Sequence, residues 1–308
     1  MKPTTALPLG LLAAGVATAG YAFAETRWFA LRHASVPVLA AGSRPLKVLH
    51  LSDAHMRPAQ QRKQGWLRSL AELEPDLVVN TGDNLAHMDA GDAVLRAYGD
   101  LLDLPGVFVF GSNDYFAPVA KNPLKYLTGG TGISAGGAWE RSADLPFEEL
   151  RASFTARGWL DLNNRHDELT VDGRRLAFAG VDDPHLGYDQ LDDVPADSSA
   201  DLSIGVAHAP YLRVLDRWNA SGHPLILAGH THGGQLRVPF HGAVVTNCDL
   251  DRSRARGLHT HQVPGHEPSW LHVSAGLGTS PFAPVRFACR PEATLLTLTG
   301  IDSPGLSA

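Results

Sequence analysis

Five short apolar runs punctuate this chain: Leu46–Leu51, Asp76–Thr81, Val107–Gly111, Leu202–Ala207 and Pro224–Ala228. Each is too short for a helix and is bounded by Gly, Asp or Asn, so each predicts a buried strand. Between the first three, Trp66, Leu67, Leu70 and Leu73 recur at helical spacing, and Glu74-Pro75 stops that helix. Val94, Leu95, Tyr98, Leu101 and Leu102 repeat the pattern and end at Pro105-Gly106. The β-α-β-α-β order predicts a mostly parallel sheet with right-handed crossovers. After a helix near 147–157 the pattern turns to strands. Leu169–Val171 and Arg175–Val181 face each other across Asp172-Gly173 as a hairpin, and Trp270–Ser274 and Thr294–Thr299 come after them. The mixture predicts a two-sheet core flanked by helices. Residues 117–146 are Gly-rich without periodicity and read as a long loop, either a lid or a surface insertion.

Each apolar run gives way to residues that can bind metal. The runs end in Asp53-Ala54-His55, Gly82-Asp83-Asn84, Ser112-Asn113-Asp114, His208 and Gly229-His230-Thr231-His232. In open α/β sheets, ligands gather beyond the carboxyl ends of strands. One sheet edge therefore collects carboxylates and imidazoles sufficient for two metal ions that share a ligand. Singly, Asp-x-His and Gly-Asp-Asn are ordinary turn sequences. All of them together, each at a strand end, form a consistent set.

These motifs resemble the calcineurin-like metallophosphoesterase superfamily, in order, from Leu46 to about Thr299. Gly180-Val181-Asp182-Asp183-Pro184 and Gly276-Leu277-Gly278-Thr279-Ser280 resemble its membrane-associated bacterial branch, the YkuE-like enzymes. The resemblance implies an α/β fold, a two-sheet β-sandwich flanked by α-helices, and metal-dependent hydrolysis of a phosphoester or pyrophosphate. It implies that Asp53, His55 and His232 hold one metal, that His208 and His230 hold a second, and that Asp83 bridges them. The ligand types suit Mn, Fe, Zn or Co. One motif departs. The superfamily reads Gly-Asn-His-Asp where this chain has Gly111-Ser112-Asn113-Asp114. Either Ser112 takes the Asn ligand position or, by local adjustment, Asn113 does. Asp83, Asn113 and Asp114 carry over into the catalytic set, but its usual His is absent. His87, four residues after Asp83, is a candidate general acid in its place, and His185 is another. Loss of that His also leaves open a metal-binding protein with little turnover. A mononuclear hydrolase that keeps only the Asp53/His55/His232 site is a third reading.

Bulk properties narrow the partners. The 308 residues carry a formal charge of −6, which argues against nucleic acid. A phosphorylated small molecule or a lipid-linked substrate fits the branch. The run Arg252, Arg254, Arg256 reads as a solvated loop or an attractor of anions. Cys248 and Cys289 form neither a disulfide framework nor a thiolate metal site. Lys2 precedes an uncharged stretch from Pro3 to Ala24, long enough for a membrane anchor. A signal segment cleaved near Ala22-Phe23-Ala24, with export, is the alternative. The organisation expected is therefore an anchor or signal over 1–24, a linker over 25–45 and the metallophosphoesterase domain over 46–308. Arg27, Arg32, Arg44 and Lys47 after the anchor, against Lys2 before it, favour the cytoplasmic face for that domain.

Overall fold

The computed structural model describes residues 3–119, 143–191 and 195–302, without the side chains of residues 3–12. Most of the long loop expected over 117–146 lies outside the described residues.

Two six-stranded sheets pack face to face. In the first, β2 (Leu46–Leu51), β3 (Leu77–Asn80), β4 (Gly106–Phe108) and β5 (Leu160–Asp161) run parallel. The apolar runs show no alternation because these strands are covered on both sides. Val48, Leu77 and Val79 face the second sheet. Leu49, Leu51 and Val78 face α2 (Gln61–Ser69), α3 (Gly91–Tyr98) and α5 (Phe147–Thr155), whose Leu67, Val94 and Phe154 complete that layer. A single turn, α4 (Ser112–Tyr115), comes after β4.

The second sheet has β7 (Arg174–Gly180), β8 (Leu202–Val206), β9 (Leu225–Ala228) and β13 (Ser269–Val273) in parallel. β6 (Arg165–Val171) and β12 (Gly257–His261) close its two edges in antiparallel pairing. Its outer face is covered by α6 (Leu212–Ala220) through Val214, Leu215 and Trp218. Helix, sheet, sheet, helix is the four-layer sandwich expected from the sequence.

The expected linker over 25–45 needs correction. Residues Ala30–Leu39 form strand β1, an edge of the first sheet, paired in parallel with β14 (Glu292–Gly300). β14 itself lies between β1 and β2. Nothing local announces β1, which contains Arg32 and Pro37. An edge position tolerates both, since one side needs no ladder donors.

The expected membrane span also finds no support. Pro3–Glu25 is one helix, α1, but among the described residues no helix is long and apolar enough to cross a membrane. The described side chains of α1 are chiefly Ala, Gly and Thr.

Candidate metal centre

The carboxyl ends of β2, β3, β8 and β9 meet at one edge of the sandwich. There the ligand atoms of Asp53, His55, Asp83 and His232 all lie within 4.8 Å of one another. His55 Nε2 stands 3.1 Å from His232 Nε2 and 3.4 Å from Asp83 Oδ2, and His232 Nε2 is 3.6 Å from Asp53 Oδ1. On the other side of Asp83, His208 Nε2 is 3.5 Å from Oδ1 and 3.3 Å from His230 Nδ1. Asp83 thus stands between two histidine groups, with all of these residues largely buried.

The backbone is bent to achieve this. Asp53, His55, Asp83, His230 and His232 all have φ between 40° and 69°. That left-handed region costs a non-glycine residue roughly 1 kcal/mol or more, and only the surrounding structure can impose it five times in one pocket. Close approach is equally demanding. A Cβ on Gly229 would stand 1.8 Å from Ser52 Oγ, and one on Gly111 would stand 2.4 Å from Asp83 Oδ1.

The donor set fits cations. Burial holds His55 neutral, with its pKa pushed down to about 4, and drives His230 and His232 well below the ordinary histidine value. Burial also opposes charge on His208 and Asp83. For His208 the carboxylates of Asp83, Asp183 and Asp53 overcome it and raise the pKa to about 9. For Asp83 the imidazoles of His208 and His55 and the Asn113 N–H hold the carboxyl well below the carboxylate range. The pocket therefore favours positive charge at its centre despite being dry. Asp53 Oδ1 is buried without a hydrogen-bond partner, a cost that a cation would remove. Carboxylate oxygen with imidazole nitrogen suits first-row divalent metals.

Ring orientations support the same assignment. The Nδ1 of His208 is 2.7 Å from the Thr81 carbonyl, so its Nε2 is left to face Asp83. His232 Nδ1 stands 3.2 Å from Gly278 O. Arg286, fully buried, donates to the carbonyls of Ala275 and Gly278 at 2.7 Å each and ties that loop to the His232 turn. Lys63 Nζ donates to Ala54 O at 2.6 Å, between Asp53 and His55.

The remaining sequence candidates separate. Asn113, not Ser112, touches Asp83: its backbone N–H donates to Oδ1 at 2.7 Å and its side-chain amide to Oδ2 at 2.8 Å. A half-turn of the amide exchanges Nδ2 for Oδ1, the orientation a cation beside Asp83 would select. Asp114 accepts the backbone N–H groups of Asp83, Asn84 and Gly111 at 2.8–2.9 Å, so it shapes the loops that carry the ligands. His87 is half-exposed and caps a 3₁₀ turn by accepting from Asp89 N. His185 is the one brought to the pocket, its ring 4.5 Å from that of His230 and its Nδ1 3.1 Å from Tyr211 Oη. Three residues that support the site are not identifiable as such from sequence: Asp183, Arg286 and Lys63. Asp183 lies inside the Gly180–Pro184 motif, whereas the other two carry no local signal.

Comparison with known proteins agrees with this geometry. The profile of the family described as calcineurin-like phosphoesterase matches residues 46–234. The chain is 26% identical to the uncharacterized metallophosphoesterase YkuE of Bacillus subtilis, covering 94% of each chain. It is 27% identical to the phosphodiesterase YaeI of Escherichia coli, covering 90% of each. A profile match over more than half the chain, on a pocket of converging carboxylates and imidazoles, settles the matter: the chain belongs to the calcineurin-like phosphoesterase family and is a metal-dependent phosphoester hydrolase.

Proposed function

We propose that the pocket holds two divalent cations and hydrolyses a phosphodiester or pyrophosphate carried by a small amphipathic molecule. The observation that carries this reading is the convergence of Asp53, His55, Asp83 and His232 within 4.8 Å, with His208 and His230 beyond the same Asp83 carboxylate. Asp53, His55 and His232 would hold one ion, His208, His230 and Asn113 the other, and Asp83 both. Bound there, such ions supply charge that polarises a phosphoryl group and acidifies water. The chain's own part is positional. Thr81 O, Gly278 O and Arg286 fix the imidazole directions, and Asp114 fixes the loops. Asn113 and His185 stand at the pocket as hydrogen-bonding groups for the phosphoryl and leaving oxygens, where the family's usual His is missing.

The test is a screen of metal-loaded protein against phosphomonoesters, diesters and lipid pyrophosphates. Mn²⁺-supported hydrolysis of a diester or pyrophosphate is expected, with Asp83→Asn as an inactive variant that also loses metal. The Asn113 substitution favours one second reading, a metal-binding protein of little turnover. Full metal content with no hydrolysis across the screen selects that reading.

A further inference from the structure

Residues 13–20 of α1 are exposed on every side, yet the helix carries no charged residue from Pro3 to Ala24. A helix in water ordinarily presents a polar face. Among its described residues, this one meets the body at its end. Ala22 O accepts from Arg286 N at 2.8 Å, the Glu25 carboxylate accepts from Cys289 N at 2.9 Å, and the Tyr21 ring meets Phe287 edge-on at 5.4 Å. Phe287 bridges to Leu236, which leads into the small hairpin of β10 (Arg237–Val238) and β11 (Gly242–Ala243). At its tip Phe240 is fully exposed, and Val238 is half-exposed. The Gln235 amide ties this hairpin to Ala283 O at 2.8 Å, next to the exposed Phe282. Tyr21 and Trp28, also exposed, pack edge to face at 5.6 Å. Two exposed arginines flank them: Arg27 lies over the Phe23 ring, and Arg290 donates to the Trp28 carbonyl at 2.7 Å.

Apolar side chains scattered singly over a surface need no explanation. Here an uncharged helix, an aromatic pair edged by arginine and two apolar loop tips are joined by direct contacts into one face. Aromatic rings beside arginine at the end of an apolar helix match the headgroup region of a bilayer, and apolar tips match the boundary beneath it. We propose that this face rests in the surface of a lipid bilayer, with Phe240 and Phe282 dipping below the headgroups and α1 leaving the body into the same layer. Lipid suits it better than a protein because a bare apolar helix offers a protein partner no polar register. Docking of this kind lies on the membrane and needs no span. The His232 side chain is 12% exposed, more open than those of Asp53, His55, Asp83 and His208, and it begins the turn that becomes Leu236 and the hairpin. On the hydrolase reading, a phosphoester headgroup therefore meets the metal centre at the membrane surface.

The test uses the full chain with an environment-sensitive fluorophore on Phe240→Cys or Phe282→Cys; Cys248 and Cys289 are both buried. In vesicles of phosphatidylethanolamine and phosphatidylglycerol, emission is expected to shift to the blue and to rise roughly threefold, with quenching by shallow spin-labelled lipid. The same label on Asp167→Cys, exposed on β6, should stay in water. Unchanged emission at 240 and 282 would overturn the proposal. So would a shift that tracks protein concentration and ignores lipid quenchers, since a second copy would then cover the face. A second variant, Phe240→Ser with Phe282→Ser, should lower hydrolysis of a vesicle-borne phosphoester about tenfold and leave a water-soluble aryl diester unaffected; equal effects on both substrates would count against lipid docking. Quenching is read without turnover, so a failed hydrolase assignment and a failed docking surface give different results.

Discussion

Gly111→Ala tests whether the pocket is as tightly built as its distances indicate. The φ and ψ of Gly111, −116° and 178°, are open to any residue, so the substitution adds only a methyl group. That methyl would stand 2.4 Å from Asp83 Oδ1 and 2.6 Å from two ring carbons of His208. Ordinary contact needs about 3.5 Å, so a displacement of about 1 Å must be found. Neither neighbour gives way easily, because Asp83 is held by Asn113 N and His208 by Thr81 O, both at 2.7 Å. Overpacking of this kind costs about 1–3 kcal/mol, and a misplacement of ~1 Å among positioning groups can cost about a hundredfold in rate. The expected result is an unfolding free energy in urea lowered by that amount, reduced metal content by elemental analysis, and aryl phosphodiester turnover down about a hundredfold. Gly65→Ala on α2, where a Cβ meets nothing within 4 Å, is the control and should gain roughly 0.5–1 kcal/mol. Wild-type turnover and metal content in Gly111→Ala would show that Asp83 and His208 need not stand where the structure puts them.

Three further outcomes are expected. Arg286→Met removes the donors to Ala275 O and Gly278 O, partly offset by removing a buried charge, and should lower stability by about 2–4 kcal/mol in urea; an unchanged midpoint would refute the clamp. His50 and His272 share a buried Nδ1···Nδ1 contact of 2.8 Å and are kept neutral by burial, His272 with its pKa down to about 3. Folded values below the unfolded one mean that the unfolded chain takes up more protons, so their contribution is complete above pH ~6.5 and is lost as pH falls toward 3, at about 1.4 kcal/mol per residue by pH ~5.5. Urea midpoints at the two pH values, compared with His272→Leu, read this directly, and a variant with the same pH slope as wild type would sink it. Last, His185→Ala should reduce turnover about tenfold while His87→Ala stays within about twofold; the reverse order would restore the candidate that sequence alone put first.

The strands that carry ligands were legible because burial on both faces leaves uninterrupted apolar runs, and because Asp, His and Gly at their ends have few reasons to recur there together. What escaped was non-local. β1 is recognisable only through its pairing with β14, some 260 residues away, where Arg32 meets Glu292 at 3.1 Å. The positive φ of Asp53, His55 and Asp83 leaves no trace in residue type, since these side chains bear the strain that glycine would avoid. Arg286 reads as one more surface arginine until the carbonyls around it are known. Asp114 and His87 show how adjacency in sequence differs from placement: one is committed to the backbone N–H groups of its loops, and the other lies half-exposed.

The insertion of β14 between β1 and β2 sets an order of events in synthesis. The seat beside β2 stays empty until residues 292–300 have left the ribosome, although β2 to β5 can assemble long before. Throughout that interval β1 has no neighbour and β2 shows an open hydrogen-bonding edge, which invites pairing with other chains. Closing a contact of this sequence separation is slow. A chaperone that shields the β2 edge during translation should therefore govern how much of this protein reaches its native state.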